Sequence, residues 1–311
     1  MFKSQFFLLF IVIVICLIST IETAKTSIKK KTTKRKVANR KSKIWKFYNW
    51  NKYGKATVGR DTVWDKTWGI PEHGGWLWYW KDADKLKNVL VKAPSGKKKD
   101  LVLRVTYPKN SRNPEENPVG GLGFKAEPLT IDNKVRTVEF QYSVFFPKGF
   151  DFNRGKLPGL YGGHGDCTGG DGSKSCFTTR FMWRDGGEGE IYAYLPESAQ
   201  RSDLCDNKIN ICNPDYGFSL GRGTFKFTRG KWLSIRQTVV MNTPGKMNGQ
   251  IIIHVNGKRV FTEKKLVIRT NSSSRVAGIM FHTFFGGSDN TWETPKTQYS
   301  YFKNFSLKAI Y

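Results

Sequence analysis
The sequence predicts an all-β protein built as an antiparallel two-sheet sandwich, and three features carry that prediction. Apolar residues recur at a period of two in short segments, Gly- and Asn-bearing turns separate these segments, and no long stretch keeps a helical period. Along the chain the segments are Leu101 to Tyr107, Thr137 to Phe146, Phe177 to Arg184, Glu190 to Tyr194, Trp232 to Asn242, Gln250 to Val255 and Arg275 to Phe285. In the second, Val138, Phe140, Tyr142, Val144 and Phe146 alternate with Glu139, Gln141 and Ser143, the pattern of a strand with one face in a core. The run Asp185 to Gly189 (DGGEG) predicts a short hairpin loop with positive φ, and Asn256-Gly257 predicts a type I′ turn. Aromatic-rich sequence continues from Trp45 to Tyr311 with no Pro/Ser linker, so residues 44–311 are expected to be one domain.

Ahead of that domain the chain reads as two further segments. Phe6 to Ile18 is an uninterrupted apolar run behind Lys3, too short to span a bilayer and typical of a signal-peptide core, which predicts a leader over residues 1–24 and a secreted product with no stable membrane span. Residues 25–43 contain ten Lys or Arg and no acid, and are expected to be a disordered basic tail. The net charge is +27; removing those ten, with Lys3 and Glu22 cancelling, leaves +17 on the rest. A field of that sign attracts polyanions. With a secretory leader and no nucleic-acid-binding motif, the expected partner is an acidic polysaccharide rather than nucleic acid. Beyond Cys16 in the leader there are four cysteines, for which three pairings are possible; the simplest joins Cys167 to Cys176 and Cys205 to Cys212.

The densest chemistry lies between Lys156 and Tyr194. Alternation puts Thr178, Arg180, Met182 and Arg184 on one strand face and Tyr192 with Tyr194 on one face of the next. A register that pairs Thr178 with Tyr194 also pairs Arg180 with Tyr192. Two phenols, a hydroxyl and a guanidinium then lie together, with Lys156 nearby in KLPG. This set suits β-elimination from a uronic acid. A cation neutralises the carboxylate and acidifies the α-proton, a base removes that proton, and an acid protonates the departing oxygen. On this reading Arg180 and Lys156 are the cations, and they favour the phenolate form of a tyrosine that acts as base, acid or both.

The order KLPGLYGG, a Cys-containing glycine loop, CFTTRFMWR and GEGEIYAY resembles polysaccharide lyase family 14, the alginate and glucuronan lyases. The similarity extends from about Leu101 to the C-terminus through LRVTYP, GKWLSIRQTVVMN and FHTFFGG. What it implies is a β-jelly roll whose catalytic cluster is Lys156, Thr178, Arg180, Tyr192 and Tyr194; neither cofactor nor metal is expected, since Arg180 and Lys156 can neutralise the carboxylate. Thr178 stands where the family often has Ser, so the hydroxyl is kept and a methyl added. His164, Arg184 and Glu190 are expected to bind substrate.

Other readings compete. Glu188 and Glu190 suggest a glycosidase pair. A non-catalytic lectin would use the same basic and aromatic residues, with Trp64, Trp68, Trp76, Trp78 and Trp80 as a stacking platform or as core. GGDGSKS lacks the second Gly and the following helix of a phosphate loop. Near Cys167, His164 and Asp166 make a weak zinc signal without CxxC spacing. Of the other histidines, His73 adjoins glycines, His254 falls in an alternating strand, and His282 is expected either at a cleft or against aromatics. Asn271-Ser-Ser and Asn304-Phe-Ser are N-glycosylation sequons.

Overall fold
The computed structural model describes residues 41–54, 64–71, 86–96, 99–164, 167–170, 172–213 and 215–311. The expected leader, the tail up to residue 40, His73, Trp76, Trp78, Trp80 and Asp166 lie outside the described residues.

Two antiparallel sheets make up the fold. The first contains β1 (Ser42–Phe47), β2 (Val89–Lys92), β3 (Leu101–Tyr107), β5 (Thr137–Phe145), β11 (Trp232–Val240), β12 (Gly249–Val255), β13 (Lys258–Leu266) and β15 (Gln298–Ile310). Its order is β13-β12-β11-β5-β15-β3-β2, with β1 also on β15. The second contains β4 (Leu122–Ala126), β6 (Gly155–Gly163), β7 (Cys176–Trp183), β8 (Glu188–Tyr194), β9 (Ile211–Asn213), β10 (Gly217–Lys226) and β14 (Val276–Phe285), in the order β4-β14-β6-β7-β8-β10-β9. The two-sheet architecture and all seven expected strands are present, with ends shifted by a residue or two. β1 begins inside the expected tail, because Ser42 and Lys43 pair with Ile310 and Ala309.

Between the sheets lies an aromatic core. Phe140, Tyr142 and Val144 of β5 meet Phe181 and Trp183 of β7 and Ile191 of β8 in one buried cluster. A polar tie crosses it: Thr179 donates to Gln237 Oε1 (2.7 Å), and the Gln237 amide donates back to the Thr179 carbonyl (2.8 Å). Both groups are fully buried and mutually satisfied, which avoids the cost of an unpaired polar group of about 1–3 kcal/mol. Trp64 and Trp68 pack with Trp50, Phe124 and Phe305, so these two tryptophans belong to the core and not to a sugar-stacking platform. The turns match their sequences. Asn256 and Gly257 have φ of 48° and 81°, and Gly186 and Gly187 have φ of 65° and 87°.

β6 is a strand that glycine and proline content conceals. Pro158 occupies a register shift against β7, where the missing N–H disturbs no regular ladder, and its carbonyl accepts from the Tyr142 hydroxyl at 3.0 Å. The glycines are set by close approach. A Cβ on Gly159 would lie 2.1 Å from the Thr179 carbonyl oxygen and 2.5 Å from the Arg180 Cα. Gly159→Ala should therefore push β6 from β7 at the level of Arg180 and cost about 1–3 kcal/mol, read as a lower midpoint in thermal or denaturant unfolding.

Candidate active site
Period-two alternation divides the second sheet between core and cleft. Phe177, Phe181 and Trp183 of β7 enter the core, while Arg180, Met182 and Arg184 face a cleft of about 550 Å³ on the other side. Lys156, Tyr192, Tyr194, Ser219, His282 and Phe284 reach the same cleft from β6, β8, β10 and β14. The expected register is observed: Thr178 is opposite Tyr194 and Arg180 opposite Tyr192.

Lys156 and Arg180 form the floor of the cleft. Lys156 is 8% exposed, donates to the Gly286 carbonyl at 2.5 Å, and lies 5.1 Å from the Tyr192 ring centre. Arg180 is 3% exposed and sits 5.5 and 5.9 Å from the Tyr192 and Tyr194 ring centres. Its Nη1 donates to His282 Nδ1 at 3.1 Å, while its buried Nε has no hydrogen-bond partner among the described residues. Burial, reinforced by Arg180, Lys125 and Lys156, holds His282 well below the usual histidine range, so the ring is neutral and can accept from the guanidinium. Burial, with Arg180 and Arg184, also holds the Lys156 amine well below the usual lysine range, against the opposing pull of Glu190.

The tyrosines cross at 89°, with hydroxyls 3.1 Å apart, and the Gly170 N–H donates to the Tyr194 oxygen at 3.1 Å. Neighbouring cations do pull toward a tyrosine phenolate, as expected, but at Tyr192 burial outweighs them. Burial pushes this phenol well up, Tyr194 adds to the rise, and Arg180 and Arg184 oppose it only in part. Tyr192 therefore remains a proton donor.

Other expected residues take different places. Thr178 is 1% exposed and donates to the Cys167 carbonyl at 2.9 Å, which fixes the glycine loop over the end of β7. It does not line the cleft. Cys167 bonds Cys176 and Cys205 bonds Cys212, the simplest of the three pairings. Cys167 is thereby removed as a thiolate ligand for zinc. His164 is exposed at the end of β6 and is not on the cleft wall, because its backbone, not its ring, ties to Ser175. Glu190 is fully buried and does not reach the cleft surface: Arg184, Arg222 and Ser219 occupy its oxygens. That saturation also removes it from a glycosidase pair. Arg184 does line the cleft.

Trp292 and Arg222 are cleft residues that sequence reasoning missed. Trp292 ends the short 3-10 turn Asn290–Trp292 and belongs to no strand pattern, and its ring lies 4.4, 5.3 and 5.7 Å from Arg154, Lys156 and Arg184.

Two stacked antiparallel sheets, one carrying this cationic and aromatic cleft, define a β-jelly-roll protein. The polysaccharide lyase 14 family model matches residues 95–305, and the chain belongs to that family. An alginate lyase of this family from Aplysia kurodai is 33% identical, with a TM-score of 0.69 over 85% of this chain and 97% of its own. An alginate lyase from Chlorella virus is 29% identical, with a TM-score of 0.59 over 70% of this chain and 88% of its own. A curated relative, "Exolysin" of Paramecium bursaria Chlorella virus 1, is 25% identical over 210 residues; the chain spans about a third (32%) of its length.

The buried histidine generates a pH prediction. Below the ordinary value of 6.5 the unfolded chain protonates His282 while the folded chain does not, so stability falls as pH drops through that window. The melting temperature of His282→Gln should fall less steeply than that of the parent between neutral pH and pH 5. Parallel curves would contradict the assignment.

Proposed function
We propose that the protein is a secreted polyuronate lyase that cleaves 4-O-linked uronic acid chains by β-elimination, with alginate as the first candidate substrate and glucuronan as the second. The observation that carries this reading is a cleft holding buried Arg180, Lys156 and two tyrosines, with no carboxylate hydrogen-bonded to either basic side chain among the described residues. The apolar leader and the two disulfides support secretion, and the basic segment 25–40 supports contact with anionic polymer. The two similar structures named above are alginate lyases, which supports the substrate class.

In this mechanism the uronate carboxylate takes the Arg180 guanidinium where it lines the cleft, with His282 holding the guanidinium in place. Charge that develops on the carboxylate as the C5 proton leaves is stabilised there. The base is Lys156: its environment favours the neutral amine, which accepts the C5 proton on Nζ. The C5–H electrons form the C4–C5 double bond as the C4–O4 bond breaks, and the Tyr192 hydroxyl protonates O4. The proton on Lys156 and the phenolate of Tyr192 then restore each other directly or through solvent. Tyr194, tied to Gly170, holds the Tyr192 hydroxyl in position. Thr178 supports the site by anchoring the Cys167 loop.

Ultraviolet absorbance of alginate and glucuronan solutions tests the reading. Absorbance from the unsaturated product should rise with the parent protein and stay flat with Tyr192→Phe/Tyr194→Phe. New reducing ends without absorbance would mean hydrolysis, and polymer binding without either would mean a lectin. Arg180→Ala should lower kcat/KM by about two to three decades, since one preorganised donor to a developing oxyanion contributes about 3–4 kcal/mol.

A further inference from the structure
Next to the Lys156/Arg180 floor lies a second cationic set with a different construction. Arg184 and Arg222 share one fully buried carboxylate. Glu190 Oε1 accepts from Arg184 Nε and Nη2 at 2.9 and 2.7 Å, and Oε2 accepts from Arg222 Nε at 2.7 Å. The Ser219 hydroxyl completes the cluster: it donates to Glu190 Oε1 and accepts from both guanidiniums. Two positive groups against one negative group leave an excess positive charge at the cleft wall.

Arg222 reaches that wall through a backbone irregularity. Ser219 faces the cleft, so strict alternation would turn residue 222 to the opposite face. Instead the register of β10 against β8 shifts between Leu220 and Phe225, and Gly221 and Gly223 adopt φ of 71° and 75°. This bulge carries the Arg222 side chain to Glu190. Asn210 braces it by accepting from the Gly221 N–H at 3.0 Å.

Each arginine keeps an unused edge. Nη1 of Arg184 and Nη1 of Arg222 make no hydrogen bond among the described residues, and both side chains line the cleft. Trp292 links this set to the catalytic floor, because its ring lies 5.3 Å from Lys156 and 5.7 Å from Arg184. Arg184, one extended residue past the end of β7, continues the face that carries Arg180, four residues and so about 13 Å along the chain.

We propose that Arg184 and Arg222 form a subsite for the carboxylate of a second uronate residue, flanking the one whose bond is broken. Glu190 is its positioning residue: it fixes both guanidiniums with their Nη1 edges toward the cleft. Arg180 reads the reacting residue, and the arginine pair reads its neighbour on the same chain. The inference rests on the polyuronate reading of the cleft and adds that binding is specific for consecutive uronates, not for a single acidic residue in a neutral chain.

The test is calorimetric binding to the full chain in a Tyr192→Phe background, with two probes: an alginate oligosaccharide, and the same oligosaccharide with most of its carboxyl groups reduced to alcohols. Adding Arg222→Ala should raise Kd about tenfold for the intact oligosaccharide, the size expected when one charge-assisted contact is lost, and less than twofold for the reduced one. Arg222→Lys should recover part of the loss, since it keeps the charge without the fork. Its melting temperature guards against a folding artefact in the Ala variant. Equal weakening on both probes, or no weakening on the intact one, overturns the subsite. Elimination by the parent protein reports on the lyase reading separately. Turnover with Arg222-independent binding sinks the subsite alone, and carboxylate-dependent, Arg222-dependent binding without turnover sinks the lyase reading alone.

Discussion
Lys156 and Arg180 are buried side by side in one cleft, and neither is hydrogen-bonded to a carboxylate among the described residues. Desolvation and mutual repulsion both disfavour two positive charges there. The two side chains respond differently. A guanidinium keeps its proton, so Arg180 remains a cation ready for an anion. An amine can release its proton, and Lys156 is held well below the usual lysine range. The same burial raises Tyr192. In the proposed mechanism a single physical condition thus separates the roles of anion holder, proton acceptor and proton donor.

The surrounding fold maintains that condition. The Cys167–Cys176 disulfide and the Thr178 hydrogen bond hold the glycine loop against the strand end, where Gly170 reaches Tyr194. Beneath, the Gln237–Thr179 tie and the aromatic core fix β7 from the other face. Glu115 lines the same cleft, but no carboxylate is hydrogen-bonded to Lys156 or Arg180 among the described residues. Glu190 faces two arginines that engage both its oxygens, so the charge at one end of the cleft is neutralised in part.

Much of this was legible in the sequence, because β7 and β8 alternate cleanly and their turn is short. Those two facts determine which residues face the cleft and which lie opposite one another: Arg180 with Tyr192, Thr178 with Tyr194. The remainder depends on long-range packing. β6 carries glycines for close approach and a proline at a register shift, both of which reduce a strand signal. Arg222 lies out of phase until the bulge in β10 is known, and the two glycines beside it were the available clue. Trp292 comes from a short turn, and His282 gave only an ambiguous signal until β14 was placed beside β6. Glu190 reads as a substrate-binding or a catalytic acid because neither Arg222 nor its own depth shows in the local pattern.

The central claim is that desolvation makes Lys156 a neutral amine able to accept the C5 proton. Nuclear magnetic resonance titration of lysine side chains, with Lys156 assigned by its Lys156→Met variant, tests it most directly. The account predicts one lysine resonance, absent from the variant, that titrates well below the ordinary value of 10.5. A Lys156 signal that stays charged and titrates with the exposed lysines would contradict it and would return the base to the tyrosine pair.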